Sequence, residues 1–222
     1  MYATIGSTGF RRYRALSAVL CAMLSACASL SQKEKGAVIG AAAGGVAGGV
    51  IGNQTGSTTR GAIIGAVVGG TAGAIIGHQM DQQAKELQQN IPGATVARVG
   101  EGIAVTFASG LLYDFDSDVV RSDAAYNLGS LAASLEKYPN TDLLIVGHTD
   151  AVGTSEYNRA LSQRRATAAA NYLASQRVSS SRLQAVGRGE TEPLATNDSE
   201  AGRQLNRRVE IAIVANANTR KQ

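Results

Sequence analysis

The sequence predicts an α+β chain: a mixed β-sheet with helices on one side in the order βαβαββ, preceded by a hairpin of glycine-rich helices. Three observations carry that expectation. From Ala94 onward, short apolar runs with strand character alternate with longer ones of helical period. Between residues 36 and 77, glycine returns every fourth residue. Before both, a lone apolar stretch follows three arginines. The 222 residues suffice for one domain of ordinary size with additional segments, not for two large ones.

The N-terminal stretch reads as an address. Residues 1–14 hold Arg11, Arg12 and Arg14 and no acid, and Ala15–Ala26 is apolar. That is the layout of a secretory signal, and it is shorter than the roughly 20 apolar residues a bilayer span needs. Leu24-Ser25-Ala26-Cys27 resembles the bacterial lipobox. The resemblance implies that residues 1–26 are a lipoprotein signal peptide and that Cys27 is acylated as the first residue of the mature chain, with 27–35 as a linker. Each buried CH₂ of an acyl chain contributes about 0.8 kcal/mol, so several chains make a lasting anchor. Ala28 and Ser29 are not acidic, which within that resemblance implies the outer membrane. Cys21 would leave with the signal, so the mature chain has no disulfide.

Loss of three arginines and no acid lowers the formal net charge from +4 to +1, which removes the electrostatic case for nucleic-acid binding. Two cysteines and two histidines exclude a disulfide-stapled miniprotein or an all-cysteine zinc site, and point to no metal and no cofactor.

Glycines 36, 40, 44, 48 and 52 are repeated, 25 residues on, as glycines 61, 65, 69, 73 and 77. In a solvated helix each costs about 1 kcal/mol relative to Ala, so the stripe makes sense as a close-packing surface. With Asn53–Thr59 as a polar turn, residues 36–77 are expected to form a helical hairpin, similar to the glycine zippers of bacterial envelope proteins. Three arrangements remain open: membrane insertion, a hairpin that is peripheral or makes homo-oligomers, and a flexible linker. The spacing matches no phosphate-binding glycine loop. Residues 78–93 continue as a polar helical stalk that Ile91-Pro92-Gly93 stops.

In the remainder, Thr95–Phe107 alternates as one strand, extended by Leu111–Phe115, and Ser122 is the expected N-cap of a helix reaching Lys137. Leu143–Gly147 is a continuous apolar run, as in a strand buried on both faces. A second helix is expected from about Thr154 to Gln176, then strands at Leu183–Val186 and Arg208–Val214.

The motifs Tyr113-Asp114-Phe115-Asp116-Ser117, Val146-Gly147-His148-Thr149-Asp150, Tyr157-Asn158-x-x-Leu161-Ser162-x-x-Arg165-Ala166, Gly187-x-Gly189-Glu190-x-x-Pro193 and Asn206-Arg207-Arg208-Val209-Glu210 occur in that order. Together they resemble the OmpA-like peptidoglycan-binding domain of outer-membrane proteins and peptidoglycan-associated lipoproteins. The resemblance covers residues 94–214, within a domain expected to run over 94–216 and a tail over 217–222. It implies a site for diaminopimelate, which carries an ammonium and a carboxylate on one distal carbon. Asp150 would take the ammonium and Arg165 the carboxylate, with further contacts from the Phe115-Asp116 backbone and from Thr154, Asn158 and Leu161.

The residues support this independently. Asp150 follows an apolar strand, where α/β sheets bind ligands. Thr154, Asn158, Leu161 and Arg165 share one helix stripe leading away from it. The alternative for Asp150 and Arg165 is an ion pair that merely ties helix to strand. Asp114, Arg207 and Arg208 are left outside the site. His148 is expected to be a hydrogen-bonded structural residue, since no nucleophile motif accompanies it. Asp114 and Asp116 have a glycosidase-like pairing but no saccharide cleft, so no enzymatic activity is expected.

The function implied is that of a lipid-anchored outer-membrane protein whose periplasmic domain binds peptidoglycan and tethers membrane to wall. The competing possibility is a self-assembling glycine-zipper membrane protein or pore, for which peptidoglycan is only an anchor.

Overall fold

The structure is a computed structural model that describes residues 57–68 and 74–216. The signal peptide, Cys27, the first glycine copy, residues 69–73 and the 217–222 tail lie outside the described residues.

Five strands form one mixed sheet: β1 (Ala94–Val99), β2 (Gly102–Ala108), β3 (Thr141–His148), β4 (Leu183–Gly189) and β5 (Arg208–Ala215). Their order is β1-β2-β5-β3-β4. Only β3 and β4 are parallel; β1–β2, β2–β5 and β3–β5 are antiparallel. The α+β expectation therefore holds, with one strand more than the sequence pattern suggested. Thr95–Phe107 is a hairpin rather than one long strand, because Val99 pairs with Gly102 across a two-residue turn. Gly100 sits at φ 54°, a conformation glycine adopts without a Cβ penalty and one that two-residue hairpins require. Nor do residues 111–115 extend that strand. Ser109–Leu112 makes one helical turn, α3, and Tyr113 is left with an isolated bridge to Val120.

One face of the sheet carries the main core. Val96, Ile103, Val105, Phe107, Leu143, Ile145, Val209, Ile211 and Ile213 pack there under α4 (Ala124–Lys137) and α5 (Ser155–Ser175). The cap of α4 differs from expectation: Asp123, not Ser122, is the N-cap, and its side chain makes no cap bond. Helix α5 starts where expected, capped by Thr154, whose Oγ1 accepts the Tyr157 N–H at 3.2 Å. It lies so close to β3 and β4 that a Cβ on Gly147 would collide with the Ser162 carbonyl, and one on Gly187 with the Gln163 backbone.

The segment expected to be a free stalk belongs to this core. Helix α2 (Ala74–Asn90) ends before Ile91-Pro92-Gly93, but Met80, Ala84, Leu87 and Ile91 are buried with the residues of α4 and the sheet. Their spacing of four, three and four is an apolar stripe inside an otherwise polar sequence.

The opposite face is covered as well. Helix α1 (Thr58–Val68), from the second glycine copy, lies across β5, β2 and β3, and Ile63 packs with Leu144, Val146 and Ala212. Helices α3, α4 and α5 thus keep to one side as expected, while a helix that precedes them occupies the other. The described parts of the second copy divide between α1 and α2, which pack on opposite faces of the sheet. The continuous apolar runs of β3 and β5 follow from burial on both faces. Among the described residues no helix is long and apolar enough to cross a membrane.

Candidate ligand-binding site

The first turns of α5 form the floor of the candidate site. Strand β3 delivers Asp150 just beyond its C-terminal end, and the cap at Thr154 fixes where the helix starts. Asn158, Leu161 and Arg165 then follow along one buried stripe. Thr154 is exposed, and its hydroxyl is engaged by the cap.

Asp150 and Arg165 do not pair with each other. Asp150 Oδ1 accepts the Val152 N–H at 3.0 Å, and its Oδ2 lies 2.6 Å from Arg207 Nη1. Arg207 also binds Glu200, which Arg203 holds from the other side at 2.8 Å. Helix α6 (Glu200–Asn206) supplies both of these residues, capped by Ser199. Burial disfavours the Arg207 charge, but its bonds to Asp150 and Glu200 outweigh that and raise its pKa. The Glu200 carboxyl is pushed down by Arg207 and then Arg203. Arg207, left outside the site from sequence, is therefore in direct contact with its acid.

Arg165 is only 6% exposed. Its Nε donates to the Ser117 carbonyl at 2.8 Å, and its guanidinium stands 5.4 Å from the Tyr113 ring centroid. Among the described residues it forms no ion pair. Burial lowers its pKa, opposed by the nearby Tyr113, Tyr157, Asp116 and Asp118. Tyr113 in turn donates to the Arg165 carbonyl at 2.6 Å, and burial pushes its phenol up.

The loop between α3 and α4 borders the site. Asp116 adopts φ 54°, uncommon for a residue with a side chain, and accepts a hydrogen bond from Tyr157 OH. Phe115 beside it is 99% exposed. Asn158 Nδ2 donates to Glu190 at 2.5 Å. Ser162 Oγ receives the Gly189 N–H at 2.8 Å, which ties the Gly187-x-Gly189-Glu190 motif to the helix.

His148 is buried, but among the described residues neither ring nitrogen has a hydrogen-bond partner, against the expectation of a hydrogen-bonded histidine. Burial, then the Arg208 charge, pushes its pKa down to about 3. Among the described residues no cluster of histidine, cysteine or carboxylate side chains fits a metal ion.

Sequence reasoning misses Arg207 and Tyr157. For Arg207 a signal is present: the arginine before a strand faces opposite to its neighbour Arg208, which turns away to bind Glu210 at 2.6 Å.

Comparison with known proteins agrees with this architecture. A family model described as the OmpA family matches residues 112–207, and one described as a YMGG-like Gly-zipper matches 11–81. The chain is 36% identical over 116 residues to the peptidoglycan-associated lipoprotein of Brucella melitensis, covering 52% of this chain and 69% of that one. It is 44% identical over 105 residues to outer membrane porin F of Pseudomonas fluorescens, 47% of this chain and 32% of the porin. It thus spans about a third of the length of the Pseudomonas porins it matches. Among solved structures it resembles the cell wall anchor of the T6SS from Pseudomonas aeruginosa, with 32% identity and a TM-score of 0.51, over 63% of this chain and 96% of that one.

Proposed function

Because this chain belongs to the OmpA family, with a glycine zipper ahead of its C-terminal domain, we propose that it binds peptidoglycan non-covalently and tethers the outer membrane to the wall. The ligand is the diaminopimelate of the stem peptide. Asp150 receives the distal ammonium and Arg165 grips the carboxylate beside it through its two Nη atoms. The backbone at Phe115-Asp116 and the stripe of Thr154, Asn158 and Leu161 line the space between.

The observation that carries this reading is the state of Arg165. A guanidinium held in a buried position by a carbonyl and an aromatic face, with no carboxylate partner among the described residues, is poised for an anion from outside. A purely structural arginine at such a depth is normally neutralised by its own chain. The names of the relatives favour the same conclusion: one is a peptidoglycan-associated lipoprotein and another a cell wall anchor.

At the other end of the chain, Cys27 carries the lipid that fixes the protein in the outer membrane, with the C-terminal domain in the periplasm. Mass spectrometry of the mature N-terminus tests that part, through a diacylglyceryl-cysteine mass on Cys27. Co-sedimentation with purified sacculi tests the wall-binding part. Asp150→Ala and Arg165→Ala should each abolish pelleting while circular dichroism and melting stay near wild type; pelleting of both variants at the wild-type level refutes the assignment.

A further inference from the structure

The face of the sheet opposite α4 and α5 is shaped for one particular segment of this chain. Ile63 is fully buried against Leu144, Val146 and Ala212. Its seat exists because residue 102 is glycine: a Cβ there would stand 2.7 Å from Ile63 Cγ2.

Around this apolar contact runs a polar collar. The Thr58 N–H, at the start of α1, donates to Glu192 Oε2 at 2.9 Å, and the Thr58 hydroxyl also binds Glu192. Arg188 Nε donates to that hydroxyl at 2.8 Å. Ser57 Oγ reaches Glu210 Oε2 at 3.5 Å, and Thr59 is buried beside the same carboxylate. The domain holds both acids in place on its own: Arg208 Nε binds Glu210 at 2.6 Å, and Arg188 Nε lies 3.3 Å from Glu192 Oε1. The pattern matches a helix N-terminus, where unpaired N–H groups favour a carboxylate.

The first glycine copy does not carry this chemistry. With the repeat offset of 25, the positions of Ser57, Thr58, Thr59 and Arg60 are filled there by Gln32, Lys33, Glu34 and Lys35. A lysine in place of Thr58 would set a cation beside Arg188 and lose the hydroxyl that bridges Arg188 and Glu192. A glutamate in place of Thr59 would bury a second carboxylate beside Glu210, a like-charge contact in a desolvated position.

We propose that this sheet face is a receptor that accepts the second glycine copy and rejects the first. Residues 57–63 then serve as a docking arm of the C-terminal domain, and membrane or self-association contacts fall to the first copy, residues 36–52. Docking and lipid insertion of the second copy exclude each other, because Ile63 cannot occupy both the sheet and the acyl chains. This inference does not depend on the ligand assignment.

Hydrogen exchange on the full chain tests it, in detergent micelles and in vesicles of phosphatidylethanolamine and phosphatidylglycerol. Two variants are compared with wild type: Glu192→Gln, and Thr58→Lys combined with Thr59→Glu. The amides of Gly61–Ile63 are expected to exchange slowly in both media and at least tenfold faster in both variants, while Leu143–Val146 stay protected as a control for the fold. Protection of Gly61–Ile63 that is unchanged in both variants overturns the proposal, as does protection that appears only in vesicles.

Discussion

Arg207 Nη1 lies 2.6 Å from Asp150 Oδ2, so the acid assigned to a ligand ammonium already has a cationic partner. The contact is partly open to solvent, with the Arg207 side chain 32% exposed. An arriving ammonium must share Oδ2 with that guanidinium, and the two cations repel one another.

Replacing the guanidinium by a neutral donor should therefore strengthen binding. Arg207→Gln is expected to raise affinity for diaminopimelate-containing muropeptides by about 3- to 10-fold at low salt. Screening of the partly exposed Arg207 should shrink the gain at high ionic strength. Calorimetric titration at two salt concentrations measures both effects.

The Asp116 loop is tied to α5 at the exposed Tyr157 hydroxyl, beside the Arg165–Ser117 and Arg164–Asp118 contacts. Tyr157→Phe removes the bond to Asp116 and should weaken muropeptide binding several-fold by loosening the loop, with the melting temperature unchanged. By contrast, Phe115→Ala should leave both affinity and stability close to wild type, because the ring is solvent-exposed and the proposed contact there is backbone. Parallel titration of the two variants separates these cases.

His148 makes the fold acid-sensitive. Its folded pKa of about 3 lies below the unfolded value of about 6.5, so the unfolded chain binds the extra proton. Stability is then full above pH 6.5 and falls as pH drops toward 3, by on the order of several kcal/mol. Glu210 adds to the loss at the acid end. Burial opposes its charge, but Arg208 and other neighbours hold its pKa below the usual carboxylate value, a contribution that disappears once it is protonated. Urea denaturation should show His148→Gln with a flatter pH profile between 6.5 and 4.

Two substitutions probe the packing. Gly147→Ala forces a methyl into the Ser162 carbonyl and should cost at least about 3 kcal/mol or prevent folding. Leu87→Ala, in the segment that reads as a stalk, should cost about 2–4 kcal/mol because its side chain is buried in the core. A solvated stalk would tolerate it within a few tenths, which thermal melting distinguishes.

The elements legible in the sequence are those that local pattern controls. The run Leu143–Gly147 and the helical stripe from Thr154 to Arg165 suffice to place β3, α5 and the floor of the site. The Gly100 turn does leave a trace in the sequence: the core-facing residues change from Val96 on β1 to Ile103, Val105 and Phe107 on β2, a switch of parity that one continuous strand cannot have. The segment around Leu87 reads as a stalk because four apolar residues at helical spacing are diluted by Gln, Asp, Lys and Glu. The Arg207–Asp150 and Thr58–Glu192 contacts span 57 and 134 residues. No window of sequence displays such pairs, and only the sheet order, with β5 between β2 and β3, brings their partners together.

The most direct test of the central claim is calorimetric titration with two muropeptides that differ at one residue, diaminopimelate in one and lysine in the other. Lysine keeps the distal ammonium for Asp150 but lacks the carboxylate for Arg165. Wild type is expected to bind the diaminopimelate form and to lose at least tenfold with lysine, while Arg165→Ala binds both equally weakly. Equal binding of the two muropeptides by wild type, or undiminished preference in Arg165→Ala, contradicts the account.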